Sequence, residues 1–225
     1  MKILFALGPA RSPDTKERRA EVVFNASAPA LHALRWGTQI HGRVVASIGE
    51  EAGRPLRGAA CVGRCDALIT AESGIGLLVW TADCVPILLA GDGVVAAVHA
   101  GWRGTAADIV GSVVRRFQVE YGVAPDNLRA VLGPAISGAH YRVGTEVIDA
   151  LRALKVDEDR WRNRQFVDLR HLLVARLEKL GLLPDAIERV GPCTAASPRL
   201  ASFRRDGQAA GRQWSLIYRT AAPPA

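Results

Sequence analysis

The stretch from Leu77 to Gly104, LLVWTADCVPILLAGDGVVAAVHAGWRG, constrains the fold more than any other part of this chain. Two apolar runs flank Gly91-Asp92-Gly93, a turn signal that predicts a β-hairpin. The turn sets the register. With Gly91-Asp92 as the loop, Ala90 pairs with Gly93 and Cys84 stands directly opposite His99. With Asp92-Gly93 as the loop, His99 lies diagonal to Cys84 on the same face. A three-residue loop puts the two on opposite faces. Directly opposed residues have Cβ atoms ~5 Å apart, close enough for a thiolate and an imidazole to share one ion.

Around this hairpin the sequence mixes strands and helices. Strand-like segments cover Lys2–Leu7, Val44–Ile48, Leu77–Thr81, Pro86–Ala90, Val94–His99, Leu128–Leu132, Ile187–Val190 and Trp214–Arg219. Apolar residues at helical spacing predict a helix capped by Thr105 and running to Tyr121, a second over Val143–Leu154, and a third capped by Asp168 and stopped by Gly181. Strands occur both singly before helices and in pairs, which favours an α+β sandwich over strict βα alternation. The 225 residues fit a single domain, 1–225, with a frayed tail over 220–225.

Composition excludes several classes. No apolar run is long enough to span a bilayer, and the start from Met1 to Pro9 is a poor match to a signal peptide, so a cytoplasmic protein is expected. The net charge is +7, carried mostly by scattered arginines beside only four lysines. With no compact basic helix or aromatic-interleaved motif, a solvated surface is favoured over a nucleic-acid partner. Cys61 and Cys65, separated by three residues, match neither a redox CxxC nor a zinc knuckle and are taken as free thiols.

His41, in Gln39-Ile40-His41-Gly42, offers a third ligand to join Cys84 and His99. Three protein ligands leave a fourth position open, as catalytic rather than structural zinc requires. Taken singly, each residue has a blander reading: a small core cysteine, a hydrogen-bonded structural histidine.

The motifs read together narrow the choice. Gln39-Ile40-His41-Gly42, Asp66-Ala67-Leu68-Ile69-Thr70, Thr81-Ala82-Asp83-Cys84-Val85-Pro86 and His99-Ala100-Gly101-Trp102-Arg103-Gly104 follow one another. Gly133-Pro134-Ala135-Ile136, Tyr141, Val143-Gly144, Cys193-Thr194, Ser202-Phe203-Arg204-Arg205-Asp206-Gly207 and Gly211-Arg212 complete the series. From about Trp36 to Tyr218 the chain resembles the YfiH-type laccase-domain family, formerly labelled multicopper polyphenol oxidases. The resemblance implies a four-layer αββα sandwich with mixed sheets, similar to the catalytic domain of cytotoxic necrotizing factor. It implies zinc ligands at His41, Cys84 and His99, which are also the catalytic residues. The implied activities are phosphorolysis of adenosine, inosine and methylthioadenosine, and deamination of adenosine, with a link to peptidoglycan quality control in bacterial relatives. One departure stands out: relatives usually carry an Arg-x-Gly-Gly-x-Ser segment in a longer N-terminal region, and nothing comparable occurs before Gln39.

Zinc at these ligands would offer either an acidified water for deamination or a seat for a phosphate or substrate oxygen in phosphorolysis, and the sequence leaves both open. Arg103, just before the Thr105 helix, is a phosphate-binding candidate, with Gly101 and Gly104 permitting close approach; the blander reading packs it on Trp102. Arg204 and Arg205 either line the pocket or tie down the C-terminal segment, and Arg204 is taken as the substrate contact. Asp83, next to Cys84, fits hydrogen bonding better than proton transfer, and Asp66 is an alternative proton carrier. His171 and Cys193 are read as structural. The expected partners are a purine nucleoside and phosphate, with no membrane. A metal-free hydrolase or deamidase using a Cys84–His99 dyad is the rival, although His41 has no necessary place in it. Copper is disfavoured, because the few histidines and single methionine do not build several copper sites.

Overall fold

The computed structural model describes residues 2–6, 31–49 and 56–220. Two mixed sheets stack face to face. The N-terminal strand β1 (Lys2–Ala6) opens the first sheet, and β2 (Ala33–Thr38) follows as one of its inner strands. Next come β3 (Val45–Ser47), β4 (Gly58–Arg64), β5 (Ala67–Thr70), β6 (Ile75–Thr81), β7 (Val85–Gly91) and β8 (Val94–Ala100). Past the short helix α1 (Trp102–Ala106) and helix α2 (Ile109–Tyr121) lie β9 (Arg129–Leu132), α3 (Thr145–Arg152), a two-residue ribbon of β10 (Arg162–Asn163) and β11 (Phe166–Val167), and α4 (Leu169–Lys179). Strand β12 (Ile187–Arg189), helix α5 (Phe203–Asp206) and strand β13 (Gln213–Tyr218) complete the chain. The first sheet has the order β1-β13-β6-β2-β4, the second β12-β9-β7-β8-β5-β3.

The hairpin β7–β8 lies at the centre of the second sheet. Asp92 and Gly93 have φ of 45° and 81°, the pair of positive values that a two-residue primed turn demands. Gly91 therefore pairs with Val94 and Pro86 with His99, the second of the registers weighed from sequence. Side chains alternate across this ribbon. Ile87, Leu89, Ala96 and Val98 face out against α2 and α4, where Val113, Phe117, Leu172 and Leu173 are fully buried. Leu88, Val95 and Ala97 face the other sheet, meeting Leu77, Val79 and Ile217. His99 shares the parity of Val95 and Ala97, so it points between the sheets at their open end.

Two helix expectations needed correction. The helix assigned to residues 105–121 is two helices, broken at Asp108, whose φ is 61°. Arg176 of α4 holds the Asp108 carboxylate at 2.9 and 2.5 Å, which fixes that left-handed corner from 68 residues away. Thr105 is accordingly no cap. It sits buried inside α1, which starts earlier, at Trp102. The second helix is shorter than expected, Thr145–Arg152, while Asp168 caps α4 through its bond to the His171 amide, as the sequence indicated.

The α+β class is present as mixed sheets with helices over the outer face of the six-stranded one. The outer face of the other sheet presents Leu34, Trp36, Leu78, Trp80 and Leu216, all buried. The expectation of a second helical layer there falls outside the described residues, as do Leu7 and tail residues 221–225. Among the described residues, no helix is long and apolar enough to cross a membrane.

Candidate metal centre and substrate cleft

The ligand atoms of His41, Cys84 and His99 lie within 4.8 Å of one another. Each arrives from a different piece of chain. His99 ends β8. Cys84 stands one residue before the first paired position of β7, after Asp83, whose φ is 85°. His41 occupies a loop between β2 and β3 with φ of 58°, a left-handed conformation unusual for histidine.

A single carboxylate organises this loop. Asp66 is fully buried, and its Oδ1 accepts from the His41 amide at 2.9 Å and faces the His99 Nδ1 at 2.9 Å. Its Oδ2 accepts from the amides of Ile40 at 3.2 Å and Gly42 at 2.8 Å. The His99 Nδ1–H is thereby committed to Asp66, leaving Nε2 as the lone-pair nitrogen that a metal needs. Gln39 clamps the loop from its other end: its Nε2 donates to the Trp80 carbonyl at 2.7 Å, and its Oε1 accepts the Trp80 amide at 2.8 Å. The side chain thus behaves as one more rung on β6.

Gly101 completes the cradle. A Cβ there would come 3.0 Å from the Cys84 sulfur and 3.0 Å from the His41 ring, so a larger residue would push these side chains aside by a few tenths of an ångström. Likewise a Cβ on Gly104 would meet the Gly42 carbonyl at 2.8 Å. The sequence reading gave both glycines to a phosphate; in the structure they admit the protein's own ligand loop.

The donor set fits a metal ion. One thiolate and two imidazoles form a borderline-soft shell, and tetrahedral zinc places its donors roughly 3.5 Å apart, a small side-chain adjustment from the observed spread. Electrostatics favour the thiolate and, in the metal-free protein, a charged His99, so an ion binding here displaces the His99 Nε2 proton. Burial raises the Cys84 thiol, but hydrogen bonds from His41 and His99 outweigh it and bring the thiol down to about 6. Burial opposes a charged His99, yet Asp66 and Cys84 lift its pKa to about 9. Asp66 is held below its ordinary value: burial pushes it up, and the His99 bond and loop amides pull it down further. With its four donors in place it has no vacancy for the proton-carrier role considered from sequence.

One expected outcome follows for the metal-free protein. The thiolate is the nucleophile, and a depressed pKa keeps it deprotonated until the pH falls through about 6. Alkylation of Cys84 by iodoacetamide, followed by peptide mass spectrometry across pH, should inflect near 6; an inflection near the ordinary value of 9.0 would show that the imidazoles do not act on the sulfur.

The three ligands form the floor of a cleft of about 560 Å³ at the open end of the sandwich. Its walls bring in Trp102, Tyr141 and Phe203 together with Arg103, Arg204 and Arg212. Arg103 is within the first turn of α1 rather than ahead of a helix, with its guanidinium 4.3 Å over Trp102. It therefore packs on the tryptophan and borders the cleft at once. Arg204 lies 5.0 Å over Tyr141 and donates to the Arg142 carbonyl at 2.9 Å. Arg205 turns away and donates to the carbonyls of Thr194, Ser197 and Leu200, which separates the two arginines into a cleft residue and a tie.

Asp83 links this wall to the floor. Its carboxylate accepts from the Thr194 hydroxyl at 2.6 Å and from the Arg204 amide at 2.6 Å. Gln39, Tyr141 and Arg212 were noted from sequence only as parts of motifs, with no role assigned. Tyr141 keeps its proton, because burial and the nearby Cys84 charge push its phenol up to about 12. It is a hydrogen-bond donor to whatever enters.

Residues 11–220 match the family described as multi-copper polyphenol oxidoreductase laccase. The purine nucleoside phosphorylase SCO2081 of Streptomyces coelicolor is 39% identical over 188 residues, spanning 80% of this chain and 74% of that protein. The purine nucleoside phosphorylase YlmD of Bacillus subtilis is 38% identical over 160 residues, and the match spans 68% of this chain but 58% of that relative. Among solved structures, the YfiH protein of Bacillus licheniformis superposes with a TM-score of 0.82 at 25% identity, covering 95% of this chain and 90% of the other. YlmD of Geobacillus stearothermophilus superposes with a TM-score of 0.79 at 28% identity, covering 95% and 87%. The stretch where relatives carry Arg-x-Gly-Gly-x-Ser falls largely outside the described residues. With a family match over nearly its whole length and the same fold in the solved relatives, the chain belongs to the YfiH-type laccase-domain family.

Proposed function

We propose that this protein is a zinc-dependent purine nucleoside phosphorylase, with His41, Cys84 and His99 as both metal ligands and catalytic centre. The observation that carries the reading is the convergence of these ligand atoms on the floor of a cleft walled by aromatic and guanidinium groups. Relatives named purine nucleoside phosphorylase support the same substrate class. Zinc bound there would supply a Lewis acid beside the reacting centre. Zinc suits the shell better than the copper in the family's description, since one sulfur and two imidazoles offer no cluster for several coppers.

The chain's own residues supply the rest. Arg103, Arg204 and Arg212 present fixed positive charge for phosphate, whose oxygens pair well with guanidinium groups. Trp102, Tyr141 and Phe203 offer flat apolar faces for a purine, and the Tyr141 hydroxyl a donor for a ring nitrogen or ribose oxygen. Asp66 fixes the His99 tautomer. Adenosine, inosine and methylthioadenosine are the substrates in this reading, and the four-layer sandwich, the likeness to cytotoxic necrotizing factor and a cytoplasmic location go with it.

The rival with an observation in its favour is a metal-free Cys84–His99 dyad, because the lowered thiol and raised imidazole also describe an ion pair ready for nucleophilic attack. Chromatography of products separates the readings. Inosine and adenosine are incubated with and without phosphate, using protein as purified, after chelation, and after zinc return. Free base that needs phosphate, disappears on chelation and returns with zinc is the expected result. Inosine formed from adenosine without phosphate would add deamination to the same site. Full activity after complete metal removal would replace the zinc reading with the dyad.

A further inference from the structure

Asp83 joins the ion ligands to the cleft wall through both its backbone and its side chain. The chain leaves β6 of the first sheet at Thr81 and enters β7 of the second at Val85, so three residues make the crossing. Asp83 is the middle one, with φ of 85°, a left-handed conformation that a non-glycine residue keeps only where its surroundings hold it. Its carbonyl accepts the Ile136 amide at 3.0 Å, and the residue that follows is Cys84, whose sulfur converges with His41 and His99. The backbone of Asp83 thus sets the direction of the thiolate ligand.

The side chain serves the wall. Oδ1 accepts from the hydroxyl of Thr194, a fully buried residue, and Oδ2 from the Arg204 amide, both at 2.6 Å. Thr194 is itself anchored, because its amide donates to the Ala135 carbonyl at 3.1 Å. Arg204 is the second residue of α5, and its guanidinium lies over the Tyr141 ring. Phe203, the first, is 47% exposed at the same cleft, an apolar face open to a ligand. One buried carboxylate therefore holds the start of the segment that carries Phe203 and Arg204.

We infer that Asp83 is a positioning residue for the nucleoside, which ties Phe203 and Arg204 to the chain segment that aims Cys84. The inference rests on the purine nucleoside reading of the cleft. Base recognition and the reacting centre are then set relative to each other by one side chain, and small misplacements between such groups are costly. Asp83 acts as a hydrogen-bond acceptor, not as a charge or a proton carrier, since each carboxylate oxygen already receives a protein donor. An amide in its place would keep both contacts. Its oxygen can accept from the Arg204 amide, while its NH₂ donates to the Thr194 hydroxyl, which can turn from donor to acceptor. Asp66 has no such freedom, because three of its partners are backbone amides.

The test compares Asp83→Gly with Asp83→Asn in the full-length, zinc-loaded protein. Inosine affinity is read by equilibrium dialysis without phosphate, and zinc affinity by competition with a chelating dye. Glycine adopts φ of 85° without strain, so Cys84 keeps its direction while the carboxylate is lost. Asp83→Gly is expected to weaken inosine binding about tenfold or more and to leave zinc affinity within about threefold of wild type. Asp83→Asn should hold both affinities within about threefold. Unchanged inosine binding in Asp83→Gly, or equal losses of zinc and inosine, would overturn the positioning role. An asparagine variant as weak for inosine as the glycine one would show that charge matters, and the acceptor role would fall on that arm alone. Wild-type protein that binds no inosine would bring down the nucleoside reading itself, and this inference with it.

Discussion

On the zinc phosphorylase reading, Cys84→Ala is expected to abolish metal binding and phosphorolytic activity together. The substitution removes the one thiolate and leaves two imidazoles, which bind zinc far more weakly than a three-ligand shell. Changing a ligand's hydrogen-bond partner costs roughly 10–100-fold in metal affinity or activity, and losing the ligand itself should exceed that. Elemental analysis should then fall from about one zinc per chain to near background. The fold should survive. Cys84 precedes the first paired residue of β7, so no rung of the ladder depends on it, and the melting temperature of chelated wild type and chelated variant should nearly coincide. Phosphorolysis at wild-type rates by a metal-free Cys84→Ala protein would sink both the zinc reading and its dyad rival.

Asp66→Asn should have the second-largest effect, although the residue touches neither metal nor substrate. The substitution keeps the shape and inverts half of the hydrogen bonding. If the new NH₂ sits where Oδ2 was, it confronts the amides of Ile40 and Gly42, two donors facing a donor. If it sits where Oδ1 was, it confronts the His41 amide, and His99 must change tautomer to accept from it. That tautomer carries its proton on Nε2, where the metal's lone pair is needed. Either orientation costs. Zinc affinity is expected to fall about 10–100-fold, measured by competition with a chelating dye. Stability should fall by ~1–3 kcal/mol for a buried donor left unmet, measured by urea unfolding of the metal-free proteins. Wild-type affinity in Asp66→Asn would show that His99 is oriented by something else.

The hairpin was legible because its information is local. Alternating apolar residues and one Asp-Gly turn determine which side chains share a face, and the chain confirms it from Gly91 and Val94 down to Val85 and Ala100. Residue chemistry was legible too, since few groups other than cysteine and histidine make a soft open shell. The position of His41 was not legible from local pattern. Its loop takes its shape from Asp66, 25 residues on, and from Gln39 gripping Trp80, 41 residues away, so residue chemistry offered it as a ligand and the resemblance, not local geometry, placed it beside the other two. The helix break at Asp108 was hidden for the same reason, as the arginine that stabilises it lies on α4. Strands β2, β4 and β5 escaped notice because they are short or rich in glycine and alanine. Parallel neighbours brought together over long distances make them strands, not their own propensities.

The division between floor and wall has a consequence for synthesis on the ribosome. All three candidate ion-binding side chains are translated by residue 99, whereas Tyr141, Arg204 and Arg212 emerge much later. Strand β13, which lies against β6 in the middle of the first sheet, is made well after it. A nascent chain thus owns the candidate ion donors well before it owns a pocket, and the bond from Asp83 to the Arg204 amide closes across 121 positions. The cleft therefore takes shape only after its floor has been made.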